Sequence, residues 1–293
     1  MNTKNRISLK RIRTCMARAW VGVTLAAATV GGARAGIIVY YPFDGNAADL
    51  SGNGNHATVT GNIGWVAGEH DGAMFVNNPQ AETLANQFVT LPNSLSILSL
   101  GESSFSFAIK YKTTDTSNGR LFGAATGVIG SATGMALTYS GGGTDTYGFV
   151  AGDEAGVKYG HAGTPNDPGI PSAITTDGLW HWVVVVHDRD AKTIDYYVDE
   201  QMITSHENIT LGTVSFSDLT IGKYNGPIST DAWYSARNTS VDEFRLYSHA
   251  IEPMDVYLPV PELAGSTRSV SMLLGLAGFL RWRRGDNAKR RSP

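Results

Sequence analysis

The sequence predicts an all-β domain of the sandwich or barrel type, set between two terminal segments of different chemistry. Three observations predict it. Short runs of Val, Ile, Tyr, Phe, Trp and Thr recur between glycine-rich turns, several alternate at period two, and no long window in the middle of the chain repeats at 3.6. In chain order the runs are Ile37–Tyr41, Phe105–Lys112, Gly134–Tyr139, Tyr147–Val150, Trp180–His187, Thr193–Val198, Leu219–Tyr224 and Val241–Tyr247. In FSFAIKYK, Phe105, Phe107, Ile109 and Tyr111 share one face, while Ser106 and Lys110 take the other. Arg189–Lys192 closes a hairpin, and only Ser248–Val256 reads as a helical turn, with Pro253 near its start. No internal repeat and no domain-length linker interrupts the series, and Gly123–Gly143 is rich in loop residues.

The ends are read separately. Lys4, Arg6, Lys10, Arg11, Arg13 and Arg18 form a basic lead, Ala19–Val30 is a short apolar run, and Ala33-Arg34-Ala35 has cleavage-type spacing. That order predicts a secretory signal peptide over residues 1–35 that signal peptidase removes, and the apolar run is too short to span a bilayer. Cys15, the one cysteine, lies before the run, which argues against a lipid-modified cysteine and leaves residues 36–258 without disulfides. Residues 259–293 comprise Pro259-Val260-Pro261-Glu262, an apolar stretch whose uncharged part is 269–280, and Arg281, Arg283 and Arg284. A cationic cluster after an apolar helix holds that end in the cytoplasm during transient inner-membrane insertion. This arrangement resembles the PEP-CTERM sorting signals of Gram-negative bacteria, with Leu263 where a second proline is usual. The resemblance implies recognition of the Pro261-Glu262 region by an exosortase-type membrane protease, and a destination at the cell surface or in the extracellular matrix.

The chain carries a formal charge of −3, which conceals an acidic domain. Seven of the 23 Lys and Arg residues precede residue 37 and seven follow residue 262, whereas only Asp286 of the 26 acids lies outside 37–262. Nine cations against 25 acids leave −16 on that stretch. Nucleic acid and anionic membrane surfaces are excluded as partners on charge, and cations or neutral and basic surfaces are favoured. A single domain of about 220 residues buries roughly 70% of its unfolded surface without staples.

Three stretches together resemble a known family. They are Tyr41-Pro-Phe-Asp-Gly with Asp49-Leu-Ser-Gly-Asn-Gly-Asn-His, then Asp177-Gly-Leu-Trp-His-Trp-Val-Val-Val-Val-His-Asp running into Tyr197-Val-Asp, and then Val241-Asp-Glu-Phe-Arg-Leu-Tyr with His249-Ala-Ile-Glu. The family is the laminin-G-like jelly roll of the concanavalin A-like lectin/glucanase superfamily, matched over about residues 37–257. It implies an antiparallel two-sheet jelly-roll sandwich whose first and last strands lie side by side. Glu200 stands where the family's hairpin usually has glycine, and His249 where arginine is common.

Side-chain oxygens recur at every second position from Asp49 to Asn55, a pattern that suits calcium, which takes six to eight oxygens. An EF-hand is rejected because Thr60 replaces its closing glutamate. Asp44, Asp49, Asn53 and Asn55, with Asp242 brought across from the last strand, are the candidate ligands of a structural ion, and Asx turns are the alternative. The Trp180–Val186 alternation is expected to be interior rather than a sugar-stacking platform. Trp65, Tyr159, Trp233 and Tyr234 are the candidate sugar contacts. Catalytic patterns fail in turn. Glu69-His-Asp71 lacks the third acid of laminarinase-type relatives, His206-Glu207 lacks a second histidine, and no G-x-S-x-G occurs. The expectation is therefore a non-catalytic, exported binding protein for glycan or matrix protein, with a polysaccharide hydrolase or lyase, or a purely structural surface protein, as alternatives.

Overall fold

The period-two alternation resolves into two antiparallel sheets packed face to face. The computed structural model describes residues 36–78, 87–116, 119–125, 133–139, 146–159, 170–171, 176–223 and 235–257. The proposed signal peptide, the stretch 269–280, Trp233, Tyr234, Pro261, Glu262, Arg281, Arg283 and Arg284 lie outside the described residues.

In chain order the strands begin with β1 (Ile37–Tyr41), β2 (Thr58–Thr60), β3 (Gly64–Ala67), β4 (Gly72–Val76) and β5 (Phe88–Thr90). Next come β6 (Phe105–Thr113), β7 (Gly119–Ala125), β8 (Gly134–Tyr139), β9 (Thr146–Gly152), β10 (Lys158–Tyr159) and β11 (Ile170–Pro171). The last are β12 (His181–Asp188), β13 (Thr193–Val198), β14 (Gln201–Glu207), β15 (Thr220–Ile221) and β16 (Thr239–Tyr247). The first sheet runs β14-β13-β12-β6-β16-β4-β3, with β1 also on β16, and the second runs β10-β9-β8-β7-β15-β5-β2, with β11 on β9. First and last strands are neighbours as expected, Tyr41 opposite Phe244 and Tyr40 opposite Arg245.

Facing residues of the two sheets form the main core. Phe105, Phe107, Ile109 and Tyr111 enter it from β6, Val183 and Val185 from β12, and Val241, Phe244 and Leu246 from β16. Phe107 meets Phe122 of the other sheet at 4.9 Å and Phe122 meets Phe244 at 5.0 Å, tilted contacts that suit aromatic quadrupoles. A second, smaller cluster covers part of the first sheet's outer face. There Ala108, Trp182, Val184, Val186 and Tyr247 pack under Ile251 and Val256. A strand buried on both faces reads as a continuous apolar run, which is why WVVVV shows no polar side.

The structure amends several expectations. The helical turn narrows to a 3-10 segment, Pro253–Tyr257, and a short helix at Leu95–Leu98 was not expected. The Leu219–Tyr224 run forms a strand only at Thr220–Ile221, with a separate bridge from Lys223 to Ser235. Strand β12 begins at His181, so Trp180 belongs to the preceding loop. The two-residue turn after β13 takes positive φ at both positions, 45° at Asp199 and 70° at Glu200. That geometry is the reason relatives place glycine at the second position.

Candidate functional site

A bulge in β16 creates the site. Val241 and Phe244 both point into the core, three residues apart where an unbroken strand would allow two. The register against β6 slips between Val241 and Glu243, so Asp242 and Glu243 both face outward. Lys110 of β6 lies opposite Glu243 on one side and Trp182 on the other. Two adjacent acids inside an apolar alternation were the legible sign of this bulge.

Around them is a cleft of about 730 Å³ on the outer face of the first sheet. Tyr40, Trp180, Trp182 and Tyr257 give it aromatic walls. Asp44, Glu69, Asp71, Asp242 and Glu243 line one side, and Asp199 and Glu200 the other. Lys110, Arg245 and His70 are its basic members. Glu69, His70 and Asp71, the rejected catalytic triplet, come from the turn between β3 and β4.

Most of these charges are tied down. Lys110, 5% exposed, is paired with Glu69. Arg245 donates from Nε to Glu243 at 3.0 Å and from Nη1 to the Val256 carbonyl at 2.8 Å. Burial opposes the charge on Arg245, but Glu243 and the neighbouring phenols hold its pKa above the ordinary value. Asp242, 3% exposed, accepts from the Glu69 amide at 2.8 Å. Burial raises its pKa, against the pull of that amide and of Lys110. Asp44 accepts from the Gly72 amide at 2.7 Å. Lys110 and Arg245 lie over the Trp182 ring at 5.6 and 5.2 Å, and Lys112 lies over Trp180 at 4.8 Å. Burial pushes the Tyr257 phenol up to about 12, so it stays protonated and able to donate. Glu69 thus takes its counter-charge from β6, Glu243 takes its own from Arg245 two residues along β16, and Asp242 and Asp44 accept from backbone amides.

The five candidate calcium ligands divide. Asp49, 5% exposed, accepts from the Tyr40 amide at 3.0 Å, the Ser51 amide at 2.9 Å, the Ser51 hydroxyl at 2.8 Å and the Asn55 amide at 2.9 Å. Asn53 and Asn55 donate to carbonyls of β1 at 2.8 and 2.9 Å. This loop therefore staples itself to the first strand, while Asp44 and Asp242 line the cleft. Among the described residues, no group of three or more His, Cys, Asp or Glu is arranged to hold a metal ion. Two donors already occupy each carboxylate oxygen of Asp49, so a cation there would compete with protein donors for either one.

The sugar-contact candidates fare differently. Trp65 sits on edge strand β3, 38% exposed and away from the cleft lining. Tyr159 ends β10, its side chain outside what the structure describes. The tryptophans expected to be interior correct that reading in part. Trp182 is buried at 8%, but Trp180 is half-buried and both line the cleft. Sequence alternation missed this because it shows that a sheet face is apolar and does not show where its cover stops.

A laminin G-type profile described as the concanavalin A-like lectin/glucanases superfamily matches residues 82–257. The chain belongs to this superfamily. No curated protein matches the chain. Among solved structures, domain 4 of AbnA, an extracellular arabinanase from Geobacillus stearothermophilus in complex with arabinotriose, is similar with a TM-score of 0.54 and 18% identity. The similarity covers 75% of this superfamily member and 96% of that domain. The binding domain of Paraclostridial Mosquitocidal Protein 1 is similar with a TM-score of 0.55, 14% identity and coverage of 75% and 51%. The binding domain of Botulinum neurotoxin DC in complex with SialylT has a TM-score of 0.53, 10% identity and coverage of 76% and 50%. The chain spans about half the length of the two toxin structures.

Proposed function

We propose that the domain is a non-catalytic glycan-binding module of an exported protein, destined for the cell surface or extracellular matrix, and that it binds sugar in the cleft over β6 and β16. One observation carries the reading: aromatic walls and fixed hydrogen-bonding groups converge in one concave site of about 730 Å³. Such a lining is what a sugar needs, since its ring faces stack on aromatics and its hydroxyls take polar partners. The site charge selects further. Seven carboxylates against Lys110 and Arg245 disfavour uronate and sialylated chains, and favour neutral or amine-bearing glycans. Similar folds whose structures contain arabinotriose or SialylT support the reading by analogy.

A glycan array with the purified chain tests it, carrying arabinotriose, cellohexaose, chitosan oligomers, oligogalacturonate and sialylated glycans. Retention of neutral or amine-bearing members, lost in Trp180→Ala, is the expected result, and no retention anywhere would refute it. Hydrolysis has one observation in its favour, a desolvated Asp242 with a raised pKa beside Glu243. Against it, Glu243 is held by Arg245 and Glu69 by Lys110. Release of new reducing ends, abolished in Asp242→Asn, would favour hydrolysis over binding alone.

A further inference from the structure

One imidazole joins two walls of the cleft from behind. His181, 6% exposed, opens β12 on the inner face of the first sheet. Its Nδ1 is 2.6 Å from Asp199 Oδ2, and its Nε2 is 3.0 Å from Asp177 Oδ1. Asp177 begins the loop that delivers Trp180, and the same oxygen accepts from the Leu179 amide at 2.7 Å. Asp199 begins the turn that delivers Glu200. Its other oxygen accepts from the Trp182 amide at 2.9 Å, and its own amide donates to the Trp182 carbonyl at 3.1 Å.

The second turn is strained and held. Asp199 and Glu200 both occupy the left-handed region, at φ 45° and 70°, which costs an L-residue roughly 1–2 kcal/mol. Such geometry persists only where the surroundings impose it. Here they are His181 on Asp199 and the Tyr257 hydroxyl, which accepts from the Glu200 amide at 2.6 Å. Trp180, Asp199 and Glu200 all line the cleft.

A neutral imidazole has one N–H and one lone pair, and an ionised carboxylate only accepts. Both contacts are hydrogen bonds only when the ring carries two protons. In the neutral ring, one carboxylate faces a lone pair.

We propose that His181 is a protonation-dependent positioning residue for the cleft. Doubly protonated, it holds the Trp180 loop and the Asp199–Glu200 turn in their glycan-accepting places, and loss of a proton releases one of them and weakens binding. The glycan part of this proposal rests on reading the cleft as a sugar site.

The groups that face His181 are few. Asp177 comes from the preceding loop, Asp199 from the turn after β13, and the uncharged Tyr111 from β6. Lys110 and Lys112, on either side of Tyr111, sit over Trp182 and Trp180. Asp115, farther along, pairs with Arg237 at 3.3 Å. The bond to Asp199, opposed by burial and aided by Asp177, holds the ring above its ordinary pKa of 6.5. The latch is therefore closed below pH 6.5 and opens as pH rises through the raised value.

The test follows the full chain across pH by three readouts: the ring nitrogens of His181 by NMR, tryptophan fluorescence without sugar, and affinity for arabinotriose and cellohexaose. The expected result is both nitrogens protonated at pH 6, and a fluorescence change with the same midpoint that Trp180→Phe removes. Sugar affinity should fall about tenfold over that step, the lower end of what a hydrogen bond to a charged group is worth. In Asp177→Asn the histidine remains but no longer bridges two anions, so the affinity step should vanish, and His181→Gln should also lack it. A singly protonated ring at pH 6, or fluorescence indifferent to the titration, would overturn the proposal. If neither sugar binds at any pH, the sugar reading of the cleft fails and the NMR and fluorescence decide the role of His181 alone.

Discussion

Alanine at Trp182 and at Trp180 separates two jobs done by near-neighbours on the first sheet's outer face. Trp182 is 8% exposed, meets Tyr257 edge-on at 6.2 Å, and carries Lys110 and Arg245 over its ring. Deleting a buried aromatic costs about 3–5 kcal/mol. In a domain of this size each kcal/mol moves the melting midpoint by about 2–4 °C, so the fall is on the order of 6–20 °C. Trp180 is half-buried, outside the strand, with Lys112 over its ring. Its loss should cost about 1 kcal/mol, the centre of the range for single substitutions. Glycan affinity should fall more, because an aromatic that anchors a ligand is worth about 2 kcal/mol, or about 30-fold. Differential scanning fluorimetry and isothermal titration on the same preparations measure both quantities. The reasoning fails if Trp180→Ala lowers the midpoint as far as Trp182→Ala. It also fails if retention survives Trp180→Ala but not Trp65→Ala.

Five other outcomes are expected. Glu200→Gly relieves the left-handed strain at φ 70° and should gain about 0.5–1 kcal/mol after glycine's larger unfolded-state entropy is counted, read as a raised melting midpoint. His187, 1% exposed with no hydrogen-bond partner on Nδ1 among the described residues, is lowered by burial to a pKa of about 4. The unfolded chain binds that proton first, so stability present above pH 6.5 should drain by roughly 3 kcal/mol as pH falls toward 4, a limb that denaturant titrations of His187→Leu should lack. A structural calcium ion at 100 times its dissociation constant would add about 2.7 kcal/mol and shift melting by about 5–10 °C relative to EDTA. The four donors already on Asp49 predict overlapping curves instead. N-terminal sequencing of exported protein should begin at Gly36, and deletion of residues 259–293 should divert it from the surface to the medium or periplasm.

Much of the fold was legible because a strand's side-chain period is local. Ile37–Tyr41, Gly134–Tyr139 and Thr193–Val198 form as read, and the Arg189–Lys192 turn joins β12 to β13. Strands β2, β3 and β5 were not singled out, since runs of three or four residues carry too few to show a period, and the longer β4, β7 and β14 were missed as well. In the sequence, Asn53 and Asn55 read as ion ligands through their side-chain oxygens, with Asx turns as the alternative. Neither reading uses their Nδ2 groups, which donate to the Ile37 and Ile38 carbonyls only because the fold lays β1 beside this loop.

The sequence by itself determined an all-β domain of the sandwich or barrel type, the acidic character of residues 37–262 and the apolar face of Phe105–Lys112, because each depends on composition or on neighbours two residues apart. The choice of a two-sheet sandwich came from the family resemblance. The tertiary structure alone decided the cleft. Its walls come from the β3–β4 turn, Trp180, the Asp199–Glu200 turn and the segment at Val256 and Tyr257, which are remote in the chain and meet only over the outer face of β6 and β16. Where that last segment stops, it leaves Trp182 covered and Trp180 open. No local pattern encodes that boundary, because burial is a property of what lands on a surface, and the covering residues are chosen by the packing of the whole sheet.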